Sequence, residues 1–380
     1  MPQSSVLTSV ELLVYLDHHA TTPCDPRVVE AMLPYFGEHF GNPASLTHEH
    51  GRRAASAVED GRIAVARFFG VQPNEIVFTA GATESNNIAL HQMKEGDHLV
   101  TSPIEHSSVV RPAQGRDATF VAVDGEGFVD LEAVRAAIRP NTRLVSIEAA
   151  NGEIGTLQRI AEIGAICRER GVLFHSDITQ AAGKVPLDLA NVDLASFSGH
   201  KLYGPKGIGG LFVRRGVRID PLISGGGQER GLRSGTVNVP GVVGLAAAFR
   251  LRAAEMAEEA VRLAKLRDDL RDKILENVDG ASVNGPRALR LPGNLNVSFE
   301  RVEADSLMIS MRRFSLSSGS ACASGERAPS RVLTAIGVPE ALAMGSIRIG
   351  LGKSNTAEQL SMFVDDLKRS IRKLREISAA

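Results

Sequence analysis

Phe174-His175-Ser176-Asp177-Ile178-Thr179-Gln180, followed by Leu194-Ala195-Ser196-Phe197-Ser198-Gly199-His200-Lys201-Leu202-Tyr203-Gly204, is the pair of segments on which the reading of this chain turns. Each is a short apolar run that ends in polar side chains, the first in a carboxylate and the second in a lysine among small residues. The 24 residues from Asp177 to Lys201 leave room for one crossover between neighbouring strands. Outward from here the pattern repeats. Apolar runs at Glu75 to Thr79, His98 to Ser102, Ala118 to Val123, Arg143 to Ala149 and Gly207 to Val213 alternate with helical periodicity. The chain is therefore expected to be α/β, with a mainly parallel central sheet in its large domain and ligands gathered at the strand ends.

Ser45 to Gly70 reads as one helix and Val239 to Asn277 as a longer one, with Leu263, Leu266, Leu270 and Ile274 at three- and four-residue spacing. The longer helix is expected to link two domains. Beyond it, Asn294 to Phe299, Ala304 to Arg313, Ser346 to Gly350 and the amphipathic Thr356 to Ile377 predict a smaller α+β C-terminal domain. The division expected is residues 18–250 for the large domain. Residues 1–17 and 251–380 form the small one, which carries a mobile cysteine loop at about 316–330. The N-terminal strand near Leu12 to Leu16 fits either. No internal repeat or low-complexity tract interrupts the pattern.

Composition narrows the function classes. The chain has 380 residues, 43 % of them hydrophobic, enough for a large core and a second unit. Lys and Arg number 43 against 44 Asp and Glu, so no basic surface is set aside for nucleic acid or an anionic membrane. A small acidic metabolite or a protein partner fits better. Three cysteines, Cys24, Cys167 and Cys322, without Cys-x-x-Cys spacing, argue against a disulfide framework or structural zinc and for a reducing, cytoplasmic setting. No basic leader with a long apolar run opens the chain, and no apolar stretch has the length of a membrane span.

Lys201 and Asp177 together suit pyridoxal 5'-phosphate: a lysine holds the cofactor as a Schiff base and a carboxylate keeps its pyridine nitrogen protonated. A lone lysine is ordinarily solvated, and an isolated Asp177 would serve as a cap or loop anion; the two at successive strand ends give the functional reading its weight. Gln180 lies near enough to reach the ring hydroxyl. Gly81-Ala82-Thr83-Glu84-Ser85-Asn86 follows a strand and opens a helix, so its N–H groups and the Thr83 hydroxyl predict a phosphate cradle. Alone, it reads as a glycine turn with Thr83 as a helix cap. Ser198 and His200 beside Lys201, and Ser234-Gly235-Thr236 at the end of a glycine-dense stretch, fit the same phosphate ester. His106 follows a strand end, where an imidazole can stack on the pyridine and relay protons, or be a plain loop histidine. Arg348, in an apolar strand, calls for a bidentate anion: a substrate carboxylate or a structural ion pair. Cys322, in Ser317-Ser318-Gly319-Ser320-Ala321-Cys322-Ala323-Ser324-Gly325, is poorly placed for packing and well placed to carry sulfur as a persulfide. Cys167 reads as core and Cys24 as a surface turn. His48-Glu49-His50 lacks further ligand partners, so no metal site is expected.

These segments, with Leu16-Asp17-His18-His19-Ala20-Thr21-Thr22-Pro23-Cys24-Asp25-Pro26, Phe40-Gly41-Asn42-Pro43-Ala44-Ser45 and Ser346-Ile347-Arg348, resemble the cysteine desulfurases of the class V aminotransferase group, fold-type I pyridoxal phosphate enzymes, nearly end to end. The Cys322 segment is similar to the long-loop, group I type. The resemblance implies conversion of L-cysteine to L-alanine, with Lys201 as the imine lysine, Asp177 as the pyridinium partner and His106 as the stacked acid/base. It makes Cys322 the persulfide carrier and Arg348 the carboxylate clamp. Ala82, Thr83, Ser198 and His200 become phosphate ligands, with Thr236 supplied by the other subunit of a homodimer, and a separate acceptor protein takes the sulfur for iron–sulfur assembly, tRNA thiolation or DNA phosphorothioation. Selenocysteine lyase, aminotransferase and a catalytically weak protein-binding scaffold are the alternatives.

Two departures stand out. Members of the group usually read Asn-Asn-Glu-x-Gly where this chain has Asn151-Gly152-Glu153-Ile154-Gly155, so the asparagine that contacts the cofactor's phenolate oxygen falls on Gly152. The resemblance then implies a higher Schiff-base pKa than a Gly152→Asn variant would show. The chain also stops at Ile377-Ser378-Ala379-Ala380, short of the extension with which housekeeping iron–sulfur members dock their scaffold, leaving the sulfur acceptor open.

Overall fold

The computed structural model describes residues 13–318 and 328–379. Its central sheet has seven strands in the order Ile76–Thr79, Gly209–Val213, Leu194–Ser198, Leu173–Asp177, Thr142–Ser146, His98–Thr101, Asp117–Phe120. Every pair is parallel except the two made by Gly209–Val213, which runs against both neighbours. The cause is chain length. The hop from Ser198 back to Gly209 is too short for the crossover that parallel strands require. The strands carrying Asp177 and Lys201 are adjacent and parallel, with Asp177 in register with Ser196.

Helices Ala82–His91, Ser107–Gln114, Leu131–Ala137 and Ile160–Arg170 cover the sheet, whose strands consequently bury side chains on both faces. Phe197 and Phe249, both fully buried, pack with Phe68 and Phe69 at ring separations of 4.8 to 5.7 Å. Truncating Phe249 to alanine would cost about 3–5 kcal/mol by opening this cluster.

A second, four-stranded antiparallel sheet has the order Ser317–Ser318, Ser346–Gly350, Asn294–Phe299, Ala281–Asn284 and its own core, which includes Leu16, Val297, Phe299, Ile347 and Phe363. Val14–Tyr15 pairs with Phe314–Ser315, which puts the N-terminal strand with this second unit. The helix Val239–Asn277 joins the two cores. Val242, Leu245 and Phe249 bury in the first, and Leu263, Leu270 and Ile274 in the second. The helix expected from Ser45 begins later, at Glu49. His48 caps it by accepting the Gly51 N–H at Nδ1, and Gly70 ends it in the left-handed conformation. No helix among the described residues is long and apolar enough to cross a membrane.

Candidate active site

Asp177 ends its strand, 6 % exposed, with both carboxylate oxygens engaged: Oδ1 accepts the Thr179 N–H at 3.0 Å and Oδ2 accepts Asn86 Nδ2 at 2.7 Å. Asn86 lies on the inner face of the Ala82–His91 helix. The same amide nitrogen donates to Ser108 Oγ at 2.8 Å, and that oxygen is 2.7 Å from His106 Nδ1. The Ser108 backbone N–H also donates to Nδ1, at 3.2 Å. An N–H cannot accept, so Nδ1 is a lone-pair acceptor and the proton of neutral His106 sits on Nε2. A continuous relay thus runs from Asp177 through Asn86 and Ser108 to His106. Desolvation lowers the His106 pKa, with Lys201 and Arg331 adding to the push and Asp177 opposing it.

Lys201 closes the single helical turn Gly199–Lys201 that follows the Leu194–Ser198 strand. Its Nζ donates to the carbonyls of His19 and Ala20 at 2.6 and 2.7 Å. Gln180 Nε2 donates to the same His19 carbonyl at 2.9 Å, which ties Gln180 to Lys201 through one acceptor. His200 Nδ1 lies 3.0 Å from Thr21 Oγ1, and burial with nearby lysines lowers its pKa to about 4, so it is a neutral hydrogen-bonding group.

The start of the Ala82–His91 helix faces this turn. Gly81 has φ +152°, and a Cβ there would stand 3.3 Å from Ser198 Oγ, so glycine lets the helix N-terminus and Ser198 approach each other. The first N–H groups of a helix have no partners within it, and with the exposed Thr83 and buried Ser198 they form a cradle suited to a phosphate. Glu84 accepts Ala80 N–H and Arg233 Nε, at 2.7 and 2.8 Å, drawing the glycine-rich segment toward the cradle. A buried carboxylate at one end, a phosphate cradle at the other and an amine between successive strand ends are the donor set that pyridoxal phosphate requires.

Residues 14–363 match the class-V aminotransferase family. The chain is 50 % identical to a cysteine desulfurase IscS of Anaeromyxobacter sp. (strain Fw109-5), over 97 % of this chain and 95 % of the relative. It belongs to the cysteine desulfurase group of the class-V aminotransferases. Among solved structures, a NifS-like protein superposes with a TM-score of 0.88 at 39 % identity, covering 95 % of this chain and 99 % of its own. A structure described as SspA in complex with cysteine gives a TM-score of 0.80 at 38 % identity, covering 89 % of this chain and 98 % of its own.

In this desulfurase-group enzyme Arg348 is paired within the chain. Its Nη2 donates to Asp17 Oδ1 at 2.8 Å and its Nη1 to the Gly152 carbonyl at 3.3 Å, while Asp17 Oδ2 accepts Ser317 Oγ at 2.6 Å. The Arg348 Nε is buried without a hydrogen-bond partner among the described residues. Gly152 itself is crowded. A Cβ would lie 2.5 Å from Gln180 Nε2, so the Gln180 side chain fills the space that a larger residue would need. Thr236 is exposed, and Cys322 lies outside the described residues. Cys167 is fully buried, its thiol pushed up to about 12 by burial, whereas Cys24 is partly exposed. His48 and His50 go to helix capping and to stacking on Phe40.

Sequence reasoning missed Asn86, Ser108, His19 and Lys184. Asn86 has a visible signal, since it falls four residues after Ala82 and so sits one turn inward from the cradle. His19 and Lys184 have none: Lys184 is half-buried and donates to Gln180 Oε1 at 2.8 Å, and His19 Nδ1 lies 3.3 Å from that oxygen across 161 residues of chain.

Proposed function

We propose that this enzyme desulfurises L-cysteine to L-alanine, with Cys322 carrying the sulfur to an acceptor protein. The observation that carries the reading is the relay from Asp177 to His106 beside an amine held on two carbonyls at the next strand end. Bound pyridoxal phosphate would supply an electron sink for the substrate carbon. Lys201 would hold the cofactor covalently, Asp177 would face its ring nitrogen, and Ala82, Thr83, Ser198 and His200 its phosphate, with Gln180 near the ring. His106, protonated on Nε2 and exposed, donates or takes a proton at that atom while Ser108 and Asn86 fix its orientation. Arg348 binds the substrate carboxylate by exchanging its Asp17 contact for a bidentate one. The Cys322 thiolate attacks the substrate sulfur: an S–S bond forms, the C–S bond breaks, and its electron pair passes to carbon and is quenched by a proton. Free cysteine plus one thiol therefore gives alanine plus one persulfide, with no external oxidant.

In this reading residues 18–250 bind the cofactor and residues 1–17 with 251–380 form the small domain. Thr236 completes the cradle of a second subunit in a homodimer. The acceptor serves iron–sulfur assembly, tRNA thiolation or DNA phosphorothioation, and the setting is cytoplasmic. Incubation with L-cysteine and a thiol reductant should yield sulfide and alanine in equal amounts. Cys322→Ser should abolish both; sulfide surviving that change, or keto acid in place of alanine, would overturn the assignment.

A further inference from the structure

Behind Lys201, the pairing of Gln180 with His19 fixes a proton. Gln180 Nε2 donates to the His19 carbonyl, which sets the amide's orientation and makes its other terminus the oxygen. That oxygen accepts from Lys184 Nζ at 2.8 Å and faces His19 Nδ1 at 3.3 Å. An amide oxygen only accepts, so His19 Nδ1 carries its proton. Burial, with Lys184, Arg348 and Lys201 nearby, keeps the ring neutral, which leaves Nε2 as a lone pair. His19 is 2 % exposed, and Nε2 has no hydrogen-bond partner among the described residues; both ring nitrogens of buried His18 are in the same position.

The two histidines line one cavity with Lys184, Tyr203, Arg252 and Glu259, where the large core, the Val239–Asn277 helix and the second unit meet. It admits the centre of a water molecule over about 20 Å³. Roughly 10–15 Å³ suffices for one ordered water when two to four polar groups surround it. The Tyr203 hydroxyl is already taken, donating to Glu259 Oε1 at 3.1 Å and accepting the Lys353 N–H at 2.9 Å, so it does not answer the histidines.

We propose that this cavity is a binding site for a single water, which donates to His19 Nε2 and bridges it to His18, and that His19 is thereby a positioning residue for Lys201. The water locks the His19 ring, the ring holds Gln180, and the His19 carbonyl that Gln180 grips is one to which the Lys201 amine donates. The last step relies on Lys201 being the cofactor lysine; the water and the tautomer do not.

Three readouts test it on the holoenzyme. A crystal structure at high resolution should show one solvent peak within about 3.2 Å of His19 Nε2, and a dry cavity overturns the site. In ¹⁵N-histidine-labelled protein, the His19 signal, assigned by its loss in His19→Gln, should show the Nδ1-protonated pattern unchanged from pH 6 to 9; an Nε2-protonated or titrating ring overturns the argument. In His19→Phe, the pH midpoint of the cofactor's absorbance change should move by roughly 0.5 unit or more, and an unmoved midpoint removes the positioning role. If wild-type protein takes up no cofactor, the Lys201 reading fails while the first two results still decide the water site.

Discussion

Two buried clusters of opposite chemistry flank the site, and the contrast shows how it is insulated. Behind His106 lie Glu105 and Glu148: Glu105 Oε1 accepts Ser102 Oγ at 2.7 Å and the Glu148 N–H at 2.9 Å, and Glu148 Oε1 accepts Asn151 Nδ2 at 2.7 Å. Burial holds both carboxyls well above the ordinary range, with Asp177 adding to each and Glu105 adding to the push on Glu148. The neighbouring Arg331, whose Nη2 donates to the Glu105 carbonyl, opposes this only in part. Behind Lys201 lie His18, His19 and Lys184, which burial and neighbouring cations push down, His18 to about 4. Acids on one side and bases on the other are both driven toward their uncharged forms by the same cause. The surroundings of the site act through hydrogen bonds of fixed direction rather than through extra charge.

The variants that break this contrast most sharply sit between the clusters. Asn86→Ala strips Asp177 Oδ2 and Ser108 Oγ of a buried donor, so unfolding titrations should show a loss of about 2–3 kcal/mol. With the His106 orientation released, kcat for alanine formation should fall by up to about 10²-fold. Unchanged stability and kcat would mean the relay is incidental. Gly152→Asn comes next. Its Cβ meets Gln180 Nε2, so either stability drops by about 1–3 kcal/mol or Gln180 leaves His19. Where the cofactor binds, the added amide should lower the pH midpoint of its absorbance change, and an identical midpoint would show that Gly152 costs the site no donor.

The smallest effects compare the clusters directly and have opposite signs. Glu105 keeps its proton in the folded state above the pH at which the unfolded chain loses it, so its contribution is complete below the ordinary carboxylate pKa of 4.5 and is lost as pH rises. Glu105→Gln should therefore gain stability relative to wild type between pH 5 and pH 9. Lys184 does the reverse: the unfolded chain binds a proton up to its ordinary pKa of 10.5 while the folded one resists it, so wild-type stability rises with pH. Lys184→Met should be stabilised relative to wild type at pH 6, and that advantage should shrink steadily as pH rises toward 10.5. Each slope has a ceiling of about 1.4 kcal/mol per pH unit, readable from denaturant midpoints. Slopes of the same sign in both variants would refute the contrast.

Much of this architecture could be read from the chain because alternation of apolar runs and helical periodicity is a local signal. Leu194–Ser198, Asn294–Phe299, Ser346–Gly350 and Val239–Asn277 form over the residues expected. The helix expected from Ser45 starts at Glu49, because a side-chain cap sets the boundary and a capping histidine carries little sequence signal. The candidate site was legible where a residue ends a strand, as Asp177 does, or follows one closely, as Lys201 and His106 do. It was illegible where a role depends on side chains meeting across the fold. Nothing in the sequence around His19, Gln180 or Gly152 shows that the three compete for one small space, or that Arg348 has Asp17 as its partner.

The central claim is that Lys201, at the strand end beside Asp177, is the amine that holds the cofactor. Borohydride reduction of protein reconstituted with pyridoxal phosphate, followed by peptide mapping, tests it most directly. The account predicts the reduced cofactor on the peptide containing Lys201 and on no other, with Lys201→Ala unlabelled. Label on Lys184, or none on either lysine, would contradict it.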